Sequence, residues 1–178
     1  MAKVEQQTGM TGSALESTTT NALALRDVFD WEVEESVRAA QMMIDEFGVS
    51  SEEAYNLLAQ GAQNGLDKNQ NLLDSINEYS VHFSQMGFSA EEMFGMISSG
   101  AAEGVFDIDK LGDAVKEFGI RAKDGSDATM EAFKSLGLDA PISSHIVPQR
   151  ATPIWFWSTL SSQFIKAVLT SVKASLAP

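Results

Sequence analysis

An internal repeat constrains the fold of this chain more than any other feature of its sequence. When the sequence is aligned with itself at an offset of 39 residues, Gly48 meets Gly87, and the segments GAQNG and GAAEG, at 61–65 and 100–104, coincide. A period of about 40 residues is typical of stacked helix pairs, so we predict two helix-pair repeats. The other matching pairs are Ser50 with Ser89, Glu52-Glu53 with Glu91-Glu92, Leu72 with Leu111, Asp74 with Asp113, and Glu78 with Glu117.

Each repeat carries signals for where a helix starts and stops. Ser50 and Ser89 are each followed three residues later by a glutamate, which is the capping-box pattern of a helix N-terminus. The Gly-Ala-x-x-Gly segments follow, and glycine commonly ends a helix. No strand precedes them and no phosphate-binding glycine pattern is present. We therefore interpret these glycines as helix stops that also let the next helix pack closely.

The remaining pattern is helical as well. Residues from about Asn21 to Phe47 are predicted to form a long helix, and 124–137 a turn, an N-cap at Ser126, a short helix and a glycine stop. No strand pattern occurs between residues 20 and 140. The predicted fold is all-α, with two repeats, flanking helices and a separate C-terminal amphipathic helix.

Charge and proline content divide the chain. The net charge is −13, and residues 141–178 contain Arg150, Lys166 and Lys173 but no acidic residue, which leaves −16 for residues 1–140. Three of the four prolines lie close together in the same C-terminal part. The predicted segments are a polar N-terminus (1–20), a helical repeat region (21–140), a proline-rich linker (141–153) and an amphipathic tail (154–178).

The tail admits three interpretations. Its apolar stripe includes Trp157, Phe164 and Leu176, and the opposite stripe carries Lys166 and Lys173. Only 15 uncharged residues separate Arg150 from Lys166, short of the roughly 20 that span a bilayer. Residues 154–176 could contact a membrane surface, dock on a partner helix, or be read out of frame. The N-terminus has no apolar stretch, so we expect no signal peptide.

Composition argues against most catalytic chemistry. The chain has no cysteine, which excludes a thiolate nucleophile. Its two histidines, His82 and His145, are too few for a histidine-rich metal site. Its acidity disfavours direct, tight nucleic-acid binding, which depends on lysine and arginine. The paired glutamates at 52–53 and 91–92 lie in predicted first turns, where capping accounts for them. We predict no catalytic, cofactor or metal site, and no enzymatic activity.

One segment partly matches a calcium loop. Asp67, Asn69, Asn71 and Glu78 fit the first, third, fifth and last positions of an EF-hand. The sixth position must be glycine and is Leu72 here. We interpret the segment as a helix start rich in Asp and Asn.

The repeat region resembles the tail tape measure protein of long-tailed phages and prophages. The resemblance covers residues 1 to about 140. It is carried by the two SxEE…GAxxG units, by LLDSINEYSVHF at 72–83 and by KLGDAVKEFGIRAKDGSDATMEAF at 110–133, with MAKVEQQTGMTG resembling another segment of the family.

The resemblance implies a structural, non-enzymatic protein that sets tail length. It implies the tail tube protein and tail assembly chaperones as partners, and a location in the virion tail, or in the host bacterial cytoplasm during assembly. Members of that family are far longer, so the chain would be a fragment, and we hypothesise that 141–178 is out of frame. The alternative from another class is a small acidic helical binding module with a membrane- or partner-binding C-terminal helix.

Overall fold

The computed structural model describes residues 2–104 and 107–121, together with the single residues Asp127 and Glu131. This part of the chain contains seven helices and no strand, which confirms the all-α prediction. The helices are α1 (Ala2–Thr8), α2 (Gly12–Phe29), α3 (Val33–Phe47), α4 (Ser51–Gln63), α5 (Leu72–Gln85), α6 (Ala90–Ala102) and α7 (Ile108–Arg121).

The helices stack in two rows. In the odd row, α1 packs against α3, α3 against α5, and α5 against α7. In the even row, α2 packs against α4 and α4 against α6, and neighbours along the chain contact each other across the rows. Each helix pair thus rests on the pair before it, which is the architecture of an α-solenoid.

The 39-residue period extends one helix pair further toward the N-terminus than the sequence analysis predicted. The even helices begin at Gly12, Ser51 and Ala90, and α3 and α5 begin at Val33 and Leu72, each 39 residues apart. Equivalent positions are buried in every copy, which shows that the three even helices present the same face to the core. Two such sets are Thr19, Leu58 and Ile97, and Ala22, Gly61 and Gly100.

The prediction of one long helix from about Asn21 to Phe47 is wrong. The helix breaks at Asp30, which adopts the left-handed conformation with φ of 59° and donates its N–H to the Arg26 carbonyl. Aspartate tolerates this conformation better than most residues. α2 nevertheless has 18 residues, against 13 in α4 and in α6. Arg26 is the repeat equivalent of Gly65 and Gly104, the glycines that end α4 and α6. Because α2 has no glycine at this position, it continues for one more turn.

Both predicted capping boxes are present. The Ser50 hydroxyl oxygen accepts from the Glu53 N–H at 3.2 Å, while the Glu53 carboxylate accepts from the Ser50 N–H at 2.8 Å. Ser89 and Glu92 make the same exchange at the start of α6. Each box satisfies two backbone donors that have no partner within the helix.

The second glycine of each Gly-Ala-x-x-Gly segment ends its helix as predicted. Gly65 has φ of +77° and Gly104 has φ of +96°. The Gly65 N–H donates to the Ala62 carbonyl, and the Leu66 N–H donates to the Gly61 carbonyl at 3.0 Å. This pair of bonds is the Schellman arrangement, which requires a left-handed residue.

The first glycine allows the predicted close packing. A Cβ atom on Gly61 would lie 3.3 Å from Cδ2 of Leu72, the first residue of α5. A Cβ atom on Gly100 would lie 2.4 Å from Cδ1 of Leu111, the repeat equivalent of Leu72. The even helix and the odd helix that follows it therefore meet at a glycine.

The core runs through the interface between the two rows. Among its fully buried large side chains are Phe83, Met43, Leu58, Leu72, Ile76, Met93 and Ile97. Each contributes about 1.5–3 kcal/mol by leaving water. Met43, Met86 and Met93 are buried here and fill space in the core.

Several predicted features lie outside the described residues. They are the linker at 141–153, the amphipathic tail at 154–178, and most of the short helix at 124–137. Of that helix the structure describes Asp127 and Glu131, which are helical and exposed.

Replacing Gly100 by alanine should destabilise the fold. The new methyl group would overlap Leu111, and overpacking of this kind costs about 1–3 kcal/mol. This exceeds the gain of about 0.5–1 kcal/mol that alanine brings to a helix interior. The midpoint of urea unfolding, followed by circular dichroism, should therefore fall.

Gly95 is the matched control in the same helix. A Cβ atom there has nothing within 4 Å, so Gly95→Ala should raise the unfolding midpoint through helix propensity alone. Equal midpoints for the two variants would show that Gly100 is not the contact point between α6 and α7.

Candidate functional site

The second glutamate of each pair, Glu53 or Glu92, caps its helix rather than forming an acid–base pair with its neighbour. Hydrogen bonds from the Ser50 N–H and hydroxyl lower the pKa of Glu53. A general acid needs a raised pKa that keeps its proton near neutral pH. Glu52, Glu53, Glu91 and Glu92 all lie in exposed or half-exposed first turns, so the capping interpretation fits their geometry.

The partial calcium-loop match has a different role. One carboxylate oxygen of Asp67 accepts from the Leu72 N–H at 3.0 Å, which fixes the start of α5. The other accepts from the indole N–H of Trp31 at 2.7 Å. Glu78 pairs instead with Lys116 on α7 at 3.0 Å. These contacts support the interpretation of the segment as a helix start.

No metal-binding arrangement of three or more His, Asp or Glu residues occurs within the part of the chain that the structure describes. His82 lies half-buried in the last turn of α5.

The turns that precede α3 and α5 together form an open cleft, which we call the acidic cleft. Its volume is about 260 Å³. The ring centroids of Phe29 and Trp31 are 5.0 Å apart beside it, and Asp67 joins the two turns through the Trp31 indole. The residues that line it are Phe29, Asp30, Trp31, Glu32, Glu35, Asp67, Gln70, Leu73 and Asp74.

The acidic cleft combines negative charge with aromatic surface. Five carboxylates and no basic side chain line it, so its potential attracts cations and repels phosphate. Asp30 and Gln70, on its two turns, are the non-glycine residues with positive φ in the described part of the chain. The cleft offers contact chemistry and contains no nucleophile paired with a base.

A second polar cluster joins α5 to α7. The hydroxyl of Tyr79 lies 2.9 Å from a carboxylate oxygen of Asp109 and 3.1 Å from one of Asp113. Its ring lies against Gly112, where a Cβ atom would be 2.1 Å from a ring carbon. Burial and these hydrogen bonds to carboxylates raise the pKa of Tyr79. The tyrosine is 2% exposed and acts as a packing anchor.

A similar link joins the turns before α5 and α7. The side-chain amide of Asn71 donates to Asp107 at 2.6 Å, and the same Asp107 oxygen accepts from the Asp109 N–H. Asp107 thereby starts α7 at Ile108, three residues ahead of the position equivalent to the start of α5.

The sequence analysis missed Trp31, Asp30 and the Tyr79 cluster. Trp31 lies between α2 and α3, whose apolar spacing is continuous, so the sequence predicts it inside one long helix. One signal was present, because Asp30 is a residue type that tolerates the left-handed conformation in which this helix ends. The pairing of Tyr79 with Asp109 and Asp113 spans 30 and 34 residues, and no local pattern encodes it.

Comparison with known proteins places these features in a family. The sequence profile of the family described as phage-related minor tail protein matches residues 1–166. The chain belongs to this family. The matched range includes the whole described stack and extends past residue 140.

A curated relative gives a more specific likeness. The chain is 46% identical over 109 residues to the "Probable tape measure protein" of Streptomyces phage phiC31. The aligned region covers 61% of this chain and 15% of that protein, so the chain corresponds to a small part of its relative. No solved structure matches. None of the helices that the structure describes is both long and apolar enough to cross a bilayer.

Removing the hydroxyl group should affect the two tyrosines differently. Tyr79→Phe should lower the free energy of unfolding by about 1.5–3 kcal/mol, because the hydroxyl bonds to charged carboxylates. The hydroxyl of Tyr55 is buried without a partner, so Tyr55→Phe should be neutral or stabilising. Urea titration of both variants measures the difference, and equal losses would contradict the assigned contacts.

The fold should weaken at alkaline pH. Burial raises the pKa of Tyr55, and burial with the Asp109 and Asp113 bonds raises that of Tyr79. Above the ordinary pKa of about 10 the unfolded chain releases these protons first, so unfolding becomes more favourable as pH rises. Tyrosinate absorbance should therefore appear together with loss of helical circular dichroism.

The double variant Tyr55→Phe/Tyr79→Phe is the control for that titration. Its free energy of unfolding should fall less steeply above pH about 10 than that of the parent chain. If tyrosinate absorbance develops at about pH 10 while the parent chain is still fully helical, both hydroxyl groups are accessible to solvent and the prediction is wrong.

Proposed function

We propose that this chain is a segment of a tail tape measure protein, a structural component that sets the length of a phage tail. The likeness to the phiC31 protein carries the proposal, because it extends over 109 residues rather than over a short motif. The 39-residue repeat fits such a role, since structurally equivalent units add length in equal steps.

The proposed role is non-enzymatic. In the described residues, Glu53 and Glu92 cap helices, Asp67 holds a helix start, and Tyr79 holds two helices together. These candidate groups are engaged in structural bonds that reaction chemistry would have to break. The family's description as a minor tail protein supports the same conclusion.

The proposed partners are the tail tube protein and the tail assembly chaperones. The acidic cleft and the exposed acidic first turns supply contact chemistry for basic segments of such proteins. The charge of −16 on residues 1–140 supports the absence of direct, tight nucleic-acid binding. We place the protein in the virion tail, and in the host bacterial cytoplasm while tails assemble. Membrane contact by residues 154–176 stays a separate proposal.

Duplicating one repeat unit tests the proposed role in tail length. Residues 51–89 would be duplicated in frame in the tape measure gene that encodes this sequence, and tails would be measured by electron microscopy. The 39 added residues lengthen a continuous helix by about 58 Å. The same residues lengthen a stack by the spacing between packed helices, about 8–10 Å.

Either increase supports the proposal, and its size distinguishes an extended segment from a stacked one in the assembled tail. A matched control carries Gln60→Ala, an exposed change in the same unit that leaves chain length unaltered. Tails of normal length with the duplicated unit incorporated would reject a measuring role for this segment.

A further inference from the structure

The contact between α5 and α7 brings three carboxylates together. Asp107 accepts from the side-chain amide of Asn71, and Asp109 and Asp113 lie against the hydroxyl of Tyr79. Among the described residues, no lysine or arginine forms an ion pair with any of the three carboxylates. Like charges held close together repel one another, so this contact attracts cations. We call it the α5–α7 seam, and it consists of Asn71, Ser75, Tyr79, Asp107, Asp109 and Asp113.

The hydroxyl of Tyr79 does not balance both of the carboxylates beside it. Its oxygen lies 2.9 Å from an oxygen of Asp109 and 3.1 Å from one of Asp113, but a hydroxyl has a single proton to donate. One of the two contacts therefore joins a carboxylate oxygen to the hydroxyl oxygen without a proton between them. The seam carries more negative charge than its hydrogen bonds satisfy.

Two further oxygens in the seam are buried without a hydrogen-bond partner. They are Oγ of Ser75, a residue that is 3% exposed, and Oδ1 of Asn71, whose amide nitrogen donates to Asp107. Buried polar atoms are nearly always paired with protein, water or an ion, because leaving them unpaired is costly. These two oxygens therefore point to a ligand that accepts electron pairs from oxygen.

The position of Ser75 on α5 directs it into the seam. Asn71, Ser75 and Tyr79 are four residues apart and so lie on one face of the helix. The residues on either side of Ser75 along this face contact Asp107 and Asp109. Ser75 therefore faces the start of α7.

The equivalent serine one repeat earlier is satisfied within its own helix. Ser36 is fully buried like Ser75, and its hydroxyl donates to the Val33 carbonyl at 3.0 Å. The same bond is open to Ser75, yet its oxygen has no partner among the described residues. The unpaired hydroxyl is thus a feature of the α5–α7 seam rather than of the repeat.

We propose that the α5–α7 seam binds a calcium ion. Its ligands are the carboxylates of Asp107 and Asp109, the amide oxygen of Asn71 and the hydroxyl of Ser75, and water completes the coordination. Ca²⁺ takes oxygen ligands of these types in flexible geometry. The site has two carboxylates, which agrees with the absence of a cluster of three acidic or histidine ligands in the described residues. The ion ties the start of α7 to α5.

The site belongs to one junction of the stack. The residues 39 positions before Asp107 and Asp109 are Lys68 and Gln70, so the contact between α3 and α5 has a cation and an amide where the seam has carboxylates. Calcium binding is therefore expected once in the described part of the chain. The low ligand charge predicts a dissociation constant of about 10⁻⁴–10⁻³ M.

Calorimetric titration of the full chain with calcium chloride tests the site. Binding should appear in that range, and calcium chloride at about 10 mM should raise the midpoint of urea unfolding above its value in EDTA, because the ion binds the folded chain alone. Asp107→Asn keeps the shape of the side chain and removes one charge. It should weaken calcium binding by at least about tenfold.

Ser75→Ala separates a ligand role from a structural one. Because the hydroxyl has no protein partner, its removal should leave the unfolding midpoint in EDTA unchanged or higher. The same change should weaken calcium binding by at least about fivefold. A serine that served packing alone would leave the calcium affinity unaltered, which would overturn the proposal.

Asp74→Asn is the matched control. Asp74 is an exposed carboxylate on α5 that lines the acidic cleft rather than the seam, so this variant should bind calcium like the parent chain. Calcium binding that is lost in Asp74→Asn and kept in Ser75→Ala would place the ion in the acidic cleft and overturn the proposal.

The competing ligand of the two oxygens is water. In that case the parent chain would show neither binding heat nor a shift of the unfolding midpoint at about 10 mM calcium, and the proposed site would be rejected. The titration uses the isolated chain and does not involve tail length, so its result is independent of the proposed function.

Discussion

The stack depends on the close approach of two helices at one small residue. Leu72 at the start of α5 lies on Gly61 of α4, and Leu111 in the first turn of α7 lies on Gly100 of α6. A side chain at either glycine would separate the rows, and the apolar residues between them would lose contact. Ala22 occupies the same position in α2 and is fully buried, so every copy keeps a small residue there.

Polar contacts at the turns fix how successive pairs are placed. Trp31 donates to Asp67, and Asn71 donates to Asp107, in both cases across 36 residues. Each bond ties the turn before one odd helix to the turn before the next. Tyr79 adds a bond from the middle of α5 to α7. The apolar core supplies most of the stabilising free energy, while these bonds select a single register between pairs.

The stacked architecture gives this member of the minor tail protein family extended surfaces for contact with other proteins. The acidic cleft lies where the turns before α3 and α5 meet, and its five carboxylates give it a negative charge. A stack of equal units can lengthen or shorten by whole pairs without disturbing the pairs already present, since each contacts its neighbours alone. This property connects the repeat in the sequence to the proposed role in tail length.

The sequence by itself determined where α4 and α6 start and stop. Ser50 with Glu53, Ser89 with Glu92, and the glycines at 65 and 104 act within one helical turn, so short patterns encode them. The break at Asp30 was missed because Arg26 replaces the stop glycine and the apolar spacing continues through it. Only the tertiary structure decided the acidic cleft, the anchoring of Tyr79 and the membership of α3 in the repeat. These features join residues about 30 to 40 positions apart. Their contribution to the free energy of folding comes from burial and from hydrogen-bonded polar groups, which form only once the helices have stacked.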